Sequence, residues 1–226
     1  MDRETGAFVR KTYFNEEANS WDEKYYTPEL VARLEELVPK FGLKPGQKVL
    51  DAGTGTGVLI PFLLRIIGPS GSITAVDYAE NMIKVFSSKF SGLPNVTVKL
   101  EDVEELDLSG EAFDAIVCFG IFPHLERKTQ ALMNLNRVLK RRGRLIIAHA
   151  LSSAEIKEHH RGALPVAQDV LPEGAEMKRL LRLAGFSGVH ITDEPGLYLC
   201  LAIKTTFQQT HMKQDTPHKN HGAKIS

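Results

Sequence analysis

The fold of this 226-residue chain is decided by one stretch, Val49-Leu50-Asp51-Ala52-Gly53-Thr54-Gly55-Thr56-Gly57. Its apolar opening predicts a buried strand, and its alternate glycines predict a tight turn in which the backbone adopts positive φ. The apolar residues from Val58 to Leu64 predict a helix directly after the turn. Such a helix directs free N–H groups and the positive end of its dipole towards a ligand. The stretch therefore predicts a nucleotide-type binding site.

Two kinds of nucleotide site fit a glycine turn of this sort. The dinucleotide fingerprint Gly-x-Gly-x-x-Gly requires a glycine where this chain has Val58, and it requires no acid before the turn. The pattern Asp-x-Gly-x-Gly-x-Gly resembles motif I of the class I S-adenosylmethionine (SAM)-dependent methyltransferases. That resemblance implies SAM as the cofactor. It assigns cofactor contacts to the residues of the motif: Asp51, Gly53, Thr54, Gly55 and Gly57.

The segments after the turn alternate between β-branched runs and amphipathic patterns, as in a parallel sheet with right-handed crossovers. Near the end of the chain, residues 186–192 and 197–203 predict two strands joined by a short turn, which must pair in antiparallel fashion. We expect an α/β, Rossmann-like fold with a seven-stranded, mostly parallel sheet. An antiparallel C-terminal hairpin closes this sheet, and helices cover both faces. The order of segments resembles the methyltransferases from about Tyr13 to Lys204.

Further cofactor contacts are predicted at the ends of the next strands. Asp77 lies about 20 residues after the last glycine, where a carboxylate can accept hydrogen bonds from both ribose hydroxyls. A helix N-cap is the alternative role for Asp77. The family resemblance implies that Asp102 contacts the adenine amino group and that the N–H of Val103 reaches a ring nitrogen. The predicted cofactor site also includes Tyr78, Met82 and Phe119.

Residues 1–27 are polar with interleaved aromatic side chains and predict an N-terminal arm. The rings either fix this arm to the domain or form a lid, with Tyr13 and Trp21 against the adenine or the sulfonium. Residues 13–22 resemble the opening segment of the quinone-biosynthesis-type C-methyltransferases, which folds over the cofactor in that family. The resemblance implies a small-molecule acceptor, with a quinone or isoprenoid ring as the specific expectation.

Residues 150–172 interrupt the alternation and are predicted to cap the acceptor pocket. The predicted substrate contacts are Phe122, His159, His160 and Arg161, and the planar fork of Arg161 suits a carboxylate or phosphate. A short helix over 153–160 would place Glu155 and His159 on one face, as a solvated surface, an acid–base pair or a metal-ligand pair. No metal site is predicted.

A histidine is well suited to remove a proton from the acceptor near neutral pH. His124 follows the fourth predicted strand and His149 ends the fifth, so both are candidate catalytic residues, with a structural role as the alternative for each. Residues 118–121 read Cys-Phe-Gly-Ile and lack the Asn/Asp-Pro-Pro-aromatic motif of methyltransferases that act on bases. This difference favours a small-molecule acceptor over nucleic acid.

Composition limits the remaining function classes. Lysine plus arginine and aspartate plus glutamate number 28 each, so no basic excess suggests a nucleic-acid partner. No apolar run approaches the roughly 20 residues of a membrane-spanning helix, and the two cysteines lie in apolar runs that predict buried thiols. We expect a cytoplasmic protein, and a homodimer is one assembly that the sequence allows.

The predicted divisions of the chain are a lid arm (1–27), a SAM-binding methyltransferase domain (28–204) and a disordered tail (205–226). The alternative functions are an NAD(P)-dependent oxidoreductase and a non-catalytic SAM-binding module.

Overall fold

The computed structural model describes residues 3–110 and 112–205, with side chains from residue 6 onward. The predicted tail at 206–226 lies outside the described residues. One seven-stranded sheet forms the centre. Its strands are β1 (Lys48–Ala52), β2 (Ser72–Asp77), β3 (Val96–Leu100), β4 (Phe113–Phe119), β5 (Leu139–His149), β6 (Phe186–Glu194) and β7 (Leu197–Lys204).

The strand order across the sheet is β3-β2-β1-β4-β5-β7-β6. The pairs among β1 to β5 are parallel, whereas β7 is antiparallel to both β5 and β6. The prediction of a mostly parallel, seven-stranded sheet closed by an antiparallel hairpin is confirmed. Because the order reverses between β1 and β4, the carboxyl ends of these two strands border the crevice in which such sheets bind ligands.

Helices cover both faces of the sheet. They are α1 (Arg3–Glu17), α2 (Trp21–Tyr25), α3 (Pro28–Leu37), α4 (Ile60–Ile67), α5 (Glu80–Phe90), α6 (Lys128–Val138), α7 (Ser153–Arg161) and α8 (Gly174–Leu183). Alternate residues of β5 enter opposite cores, because successive side chains of a strand point to opposite faces. Leu145 and Ile147 pack with α6 and α8, and Ile146 and Ala148 pack with α3 and α4.

Two local predictions are wrong. The helix after the glycine turn begins at Ile60 rather than Val58, because the turn continues through Leu59. From the sequence, two arginines followed by Gly143 predict the end of a helix at residues 141–143. In the structure α6 ends at Val138, and these residues belong to β5. Arg142 has a left-handed φ of 60°, and the register of β4 and β5 shifts between Phe113 and Ala115. A local irregularity of the sheet therefore accommodates these residues.

Both cysteines, Cys118 and Cys200, are buried free thiols, as predicted. Within residues 3–110 and 112–205, no helix has the length and apolar character needed to cross a membrane.

Candidate active site

A cavity of about 710 Å³ lies at the carboxyl edge of the parallel strands. Its lining residues lie at the carboxyl ends of four strands and in the connections that follow the strands. Ligand sites commonly measure about 300–1,000 Å³, so the space suits a nucleotide-sized ligand. The strand residues at its wall are Asp51, Asp77, Phe119 and His149.

The glycine turn forms one wall of this cavity. Gly53, Gly55 and Gly57 all have positive φ, at 73°, 56° and 92°. A Cβ on Gly55 would meet no atom within 4 Å, so the turn is open to the cavity at this point. A Cβ on Gly53 would lie 2.4 Å from the Ile121 side chain, and one on Gly57 would lie 2.4 Å from the Phe90 ring. Gly57 is outside the cavity, and its predicted cofactor contact is replaced by a packing role.

Two buried carboxylates lie on either side of the turn. Asp77 accepts hydrogen bonds from the N–H groups of Gly55 and Ala79, each at 2.9 Å. Asp51 accepts a hydrogen bond from the Thr54 hydroxyl at 2.7 Å. Burial raises the pKa of Asp77 to about 6 and that of Asp51 to about 7. A carboxylate offers about four lone-pair sites, so Asp77 has acceptor capacity left for the hydroxyls of a bound sugar.

Four more predicted cofactor residues line the same cavity: Tyr78, Met82, Asp102 and Val103. The Asp102 carboxylate accepts a hydrogen bond from the Glu104 N–H at 2.7 Å, which fixes its orientation after β3. Burial raises the pKa of Asp102.

Aromatic side chains of the N-terminal helices cover the cavity. The predicted cofactor contacts Tyr13 and Trp21 line it together with Phe14, Tyr25 and Tyr26. The Phe14 ring contacts Trp21 at a centroid distance of 5.7 Å and His124 at 5.2 Å. Residues 3–25 therefore form helices that contact the site, and Phe8, which is 71% exposed, takes no part in this cluster.

The N-terminal helices are attached to the glycine turn by hydrogen bonds. The Tyr26 hydroxyl accepts from the Val58 N–H at 3.1 Å and bonds with the Thr56 hydroxyl at 2.7 Å. Thr56 also lies 2.5 Å from a carboxylate oxygen of Asp22. No local pattern in the sequence predicts these contacts, because they join positions about 30 residues apart.

Histidines lie on the other side of the cavity, and one acid, Asp169, contacts two of them. His124 Nδ1 is 2.8 Å from Oδ2 of Asp169, and His160 Nδ1 is 2.6 Å from the main-chain oxygen of Asp169. Arg10 of α1 donates to Oδ1 of Asp169 at 3.3 Å. Burial lowers the pKa of His124, although the Asp169 carboxylate acts in the opposite direction. Asp169 lies in an irregular segment with no recognisable motif, so its place in the site could not be predicted from the sequence.

His149 occupies a different environment at the end of β5. Its Nε2 is buried without a hydrogen-bond partner among the described residues, and burial lowers its pKa to about 3. His149 lines the cavity. Its imidazole is nevertheless held neutral and is a much weaker base than one that faces a carboxylate.

Several predicted substrate residues lie elsewhere. The Arg161 side chain is 61% exposed and pairs with Glu158 one helical turn away, so it does not enter the cavity. Phe122 is fully buried in the core beneath the site. His159 and His160 both line the cavity; His160 is buried, and His159 is exposed at the rim with its ring 6.2 Å from that of Tyr25.

The predicted alternatives for Glu155 are also decided by its contacts. Its carboxylate closes the N-terminal capping box of α7 with Ser152 and accepts from the Gly196 N–H at 2.8 Å. Glu155 is thus a helix-capping residue. Over the described part of the chain, no group of three or more histidine, cysteine, aspartate or glutamate side chains is arranged to hold a metal ion.

Together, the strand order with its antiparallel closing hairpin, the open glycine turn and the buried acid at the end of β2 define the class I SAM-dependent methyltransferase fold. A family model described as a methyltransferase domain matches residues 43–185. The chain therefore belongs to this family of methyltransferases, whose cofactor is SAM. The open face at Gly55 and the acceptor capacity of Asp77 fit the adenosyl part of that cofactor.

Two curated relatives act in quinone biosynthesis by name. The ubiquinone/menaquinone biosynthesis C-methyltransferase UbiE of Psychromonas ingrahamii is 39% identical over 110 residues, covering 47% of this chain and 43% of that protein. The demethylmenaquinone methyltransferase of Staphylococcus aureus is 32% identical over 111 residues, covering 49% of this chain and 46% of that protein. The chain thus matches less than half the length of each relative.

Solved structures match over more of the chain. A SAM-dependent methyltransferase from Aquifex aeolicus superposes with a TM-score of 0.66 at 27% identity, covering 84% of this chain and 98% of that one. The SAM complex of phosphoethanolamine N-methyltransferase 2 from Haemonchus contortus gives a TM-score of 0.64 at 16% identity, over 77% of this chain and 53% of that one. The latter similarity concerns the fold alone.

Proposed function

We propose that this protein transfers the methyl group of SAM to a small, uncharged acceptor with an acidic proton, such as a phenol or hydroquinone ring. One observation carries the proposal: His124, hydrogen-bonded to Asp169 at 2.8 Å, lines the same cavity as the open glycine turn. A methyl donor bound at the turn and an acceptor beside His124 therefore share one cavity.

The donor half of the site suits an adenosyl group. In the proposed complex, Asp77 accepts hydrogen bonds from the ribose hydroxyls, and Asp102 and Val103 contact the adenine edge. The rings of Tyr13 and Trp21 cover the nucleoside or the sulfonium, because aromatic faces attract cations and stack on planar bases.

The acceptor half of the site suits an uncharged molecule. Among the described residues, two cationic side chains line the cavity, and both have partners. Arg10 pairs with Asp169 and Glu126, and Arg33 donates to the main-chain oxygen of Ala150 at 2.8 Å. Among the described lining residues, the charge of Arg10 is therefore balanced by two acids, and the Arg33 guanidinium is held towards the main chain. The remaining wall is apolar and includes Ile121, Leu151, Ile156 and Val166.

The proposed reaction is an in-line displacement at the methyl carbon. His124 Nε2 removes the acidic O–H proton, the acceptor atom bonds to the methyl group, and the C–S bond breaks to leave neutral S-adenosylhomocysteine. If a ring carbon is methylated, that carbon then loses its hydrogen as a proton and the hydroxyl forms again. Each turnover releases one proton. Positioning of the reactants supplies up to roughly 7–11 kcal/mol, and a positioned base contributes about 10²–10⁴-fold.

The specific acceptor class that we propose is a quinol-type ring. The names of the two curated relatives and the apolar side chains of the acceptor half support it. An isoprenoid ring would offer no acidic proton to the histidines that line the cavity.

Binding and transfer assays test this proposal in two stages. Calorimetric titration of the full chain should give binding of SAM and S-adenosylhomocysteine and none of NAD(H) or NADP(H). Radiolabelled SAM should then transfer label to phenols and hydroquinones but not to matched benzoates or aryl phosphates. Binding of the nicotinamide cofactors alone would overturn the methyltransferase proposal, and label transfer to the benzoates alone would overturn the uncharged acceptor.

A further inference from the structure

Asp169 contacts two histidines through two different oxygen atoms. Its carboxylate oxygen Oδ2 lies 2.8 Å from His124 Nδ1, and its main-chain oxygen lies 2.6 Å from His160 Nδ1. The acid is 8% exposed and lies between the 3₁₀ turn Leu164–Val166 and α8. Both histidines line the cavity, and their ring centroids are 4.9 Å apart.

These contacts determine which ring nitrogen carries hydrogen. A main-chain carbonyl can only accept a hydrogen bond, so Nδ1 of His160 must donate. The carboxylate of Asp169 also accepts from the Arg10 guanidinium at 3.3 Å, in an ion pair. An ionised carboxylate likewise only accepts, so Nδ1 of His124 donates to it. A neutral imidazole has one N–H, and Nε2 of each ring is therefore a free acceptor.

We propose that Asp169 is the positioning residue of the acceptor site and that it holds His124 and His160 together as Nδ1–H tautomers. Two Nε2 lone pairs then belong to one wall of the cavity. With the opposite tautomer, His124 would present an N–H to the acceptor and would have no lone pair to take its proton. This role in catalysis rests on the proposed function, whereas the tautomers themselves do not.

Arg10 connects this arrangement to the N-terminal helix. It is on α1 and pairs with both Asp169 and Glu126, so the acid that orients His124 is itself held by the segment that covers the cavity. Docking of α1 and orientation of His124 are therefore parts of one contact network.

An Asp169→Asn substitution separates the two roles of the residue. The amide oxygen of the new side chain faces the donating Arg10 guanidinium, so its NH₂ group faces His124 and makes Nδ1 of His124 accept. The main-chain oxygen at position 169 is unchanged, so His160 keeps its tautomer. The matched control is Asp107→Asn, because Asp107 is exposed and lies outside the cavity.

The test is a long-range ¹H–¹⁵N correlation spectrum of the full chain labelled at histidine, recorded at pH 8 without cofactor. His124→Gln and His160→Gln variants assign the signals. We expect both histidines as Nδ1–H tautomers in the wild-type protein and in Asp107→Asn, and His124 alone as the Nε2–H tautomer in Asp169→Asn. An Nε2–H signal for either histidine in the wild-type spectrum would overturn the proposal, even if the variant failed to fold.

Kinetics give a second readout with an acceptor found in the transfer assay. Asp169→Asn should lower kcat by about 10²-fold or more while the Kd of SAM changes less than twofold, and the acid limb of the kcat profile should shift to lower pH. That shift is expected because the groups facing His124 besides Asp169 are Arg10, His160 and His149, none of which can replace the carboxylate. An unchanged kcat profile would make Asp169 merely structural. Because the spectrum requires no acceptor, it stands even if the proposed reaction is wrong.

Discussion

The carboxylate of Asp77 accepts a hydrogen bond from the main-chain N–H of Gly55 at 2.9 Å, across 22 positions of the chain. This contact joins the end of β2 to the open point of the glycine turn. The glycine turn after β1 and the acid at the end of β2 thus form one surface of the cavity.

Replacing Asp77 with alanine should weaken SAM binding by an order of magnitude or more. A hydrogen bond to a charged group contributes roughly 1.5–3 kcal/mol, and the proposed ribose contact is of this kind. Calorimetry measures the change, with Asp107→Ala as the exposed control. A Kd within twofold of the wild-type value would remove Asp77 from the cofactor site.

Alanine substitutions at two glycines of the turn should affect different properties, protein stability at Gly57 and SAM binding at Gly55. Gly57→Ala places a Cβ 2.4 Å from the Phe90 ring at a φ of 92°, so overpacking and strain should cost about 2–4 kcal/mol of unfolding free energy. Gly55→Ala meets no neighbouring atom and should cost only ~1 kcal/mol in strain, but its methyl group would occupy the cofactor side. Thermal melts with and without SAM distinguish these outcomes. The opposite pattern would mean that the turn faces away from the ligand.

The Tyr26 hydroxyl should contribute to cofactor retention through the N-terminal helices. Tyr26→Phe removes its bonds to Val58 and Thr56, worth about 0.5–1.5 kcal/mol each, and should raise the Kd of SAM several-fold. Tyr198→Phe is the matched control, because the buried Tyr198 hydroxyl has no hydrogen-bond partner among the described residues. That control should keep SAM affinity and lose no stability. Equal effects of the two substitutions would contradict a lid role for Tyr26.

Turnover should depend more on His124 than on the other histidines. We expect His124→Gln to lower kcat about 10²–10⁴-fold with little change in SAM affinity. His149→Gln should have a smaller effect, because burial holds the pKa of His149 at about 3 and makes it a poor base. His159→Gln, at the exposed rim, should act mainly on the KM of the acceptor. Equal kcat values in all three variants would assign the base to another residue.

SAM binding should become tighter as pH rises from about 5 to 7. In the free protein burial raises the pKa of Asp77 to about 6 from its usual 3.8, and the ionised form is the better acceptor for ribose hydroxyls. Binding should therefore release protons below pH 6, which calorimetry in buffers of different ionisation enthalpy detects. A Kd that is constant from pH 5 to 7 would contradict this linkage.

The raised pKa values of Asp77 and Asp51 also determine how the stability of the free protein changes with pH. Folded Asp77 and Asp51 bind protons more tightly than their unfolded forms. Their contribution to the unfolding free energy is full below pH ~4 and is lost as pH rises through about 6 and 7. Denaturant titrations of Asp77→Asn should show a flatter pH dependence.

The glycine turn, the parallel sheet with its closing hairpin and the place of Asp77 at a strand end were predictable because they depend on local conformational preference and short spacing. Periodicity alone places Leu145 and Ile147 on one face of β5 and Ile146 and Ala148 on the other. Asp169 and Tyr26 were not predictable in the same way. Their partners His124 and Val58 lie 45 and 32 positions away, and only tertiary packing brings them together. Arg161 was assigned to the acceptor from its chemistry, but the helix places it in solvent beside Glu158.

The position of Phe14 has a thermodynamic consequence. Its ring touches Tyr78 on the donor side, at a centroid distance of 6.3 Å, and His124 on the acceptor side, at 5.2 Å. We expect this shared side chain to couple the two binding equilibria, and coupling between sites is reciprocal. If the donor changes the affinity of the acceptor by some factor, the acceptor must change the affinity of the donor by the same factor. Truncating the Phe14 side chain should reduce this factor equally for both ligands.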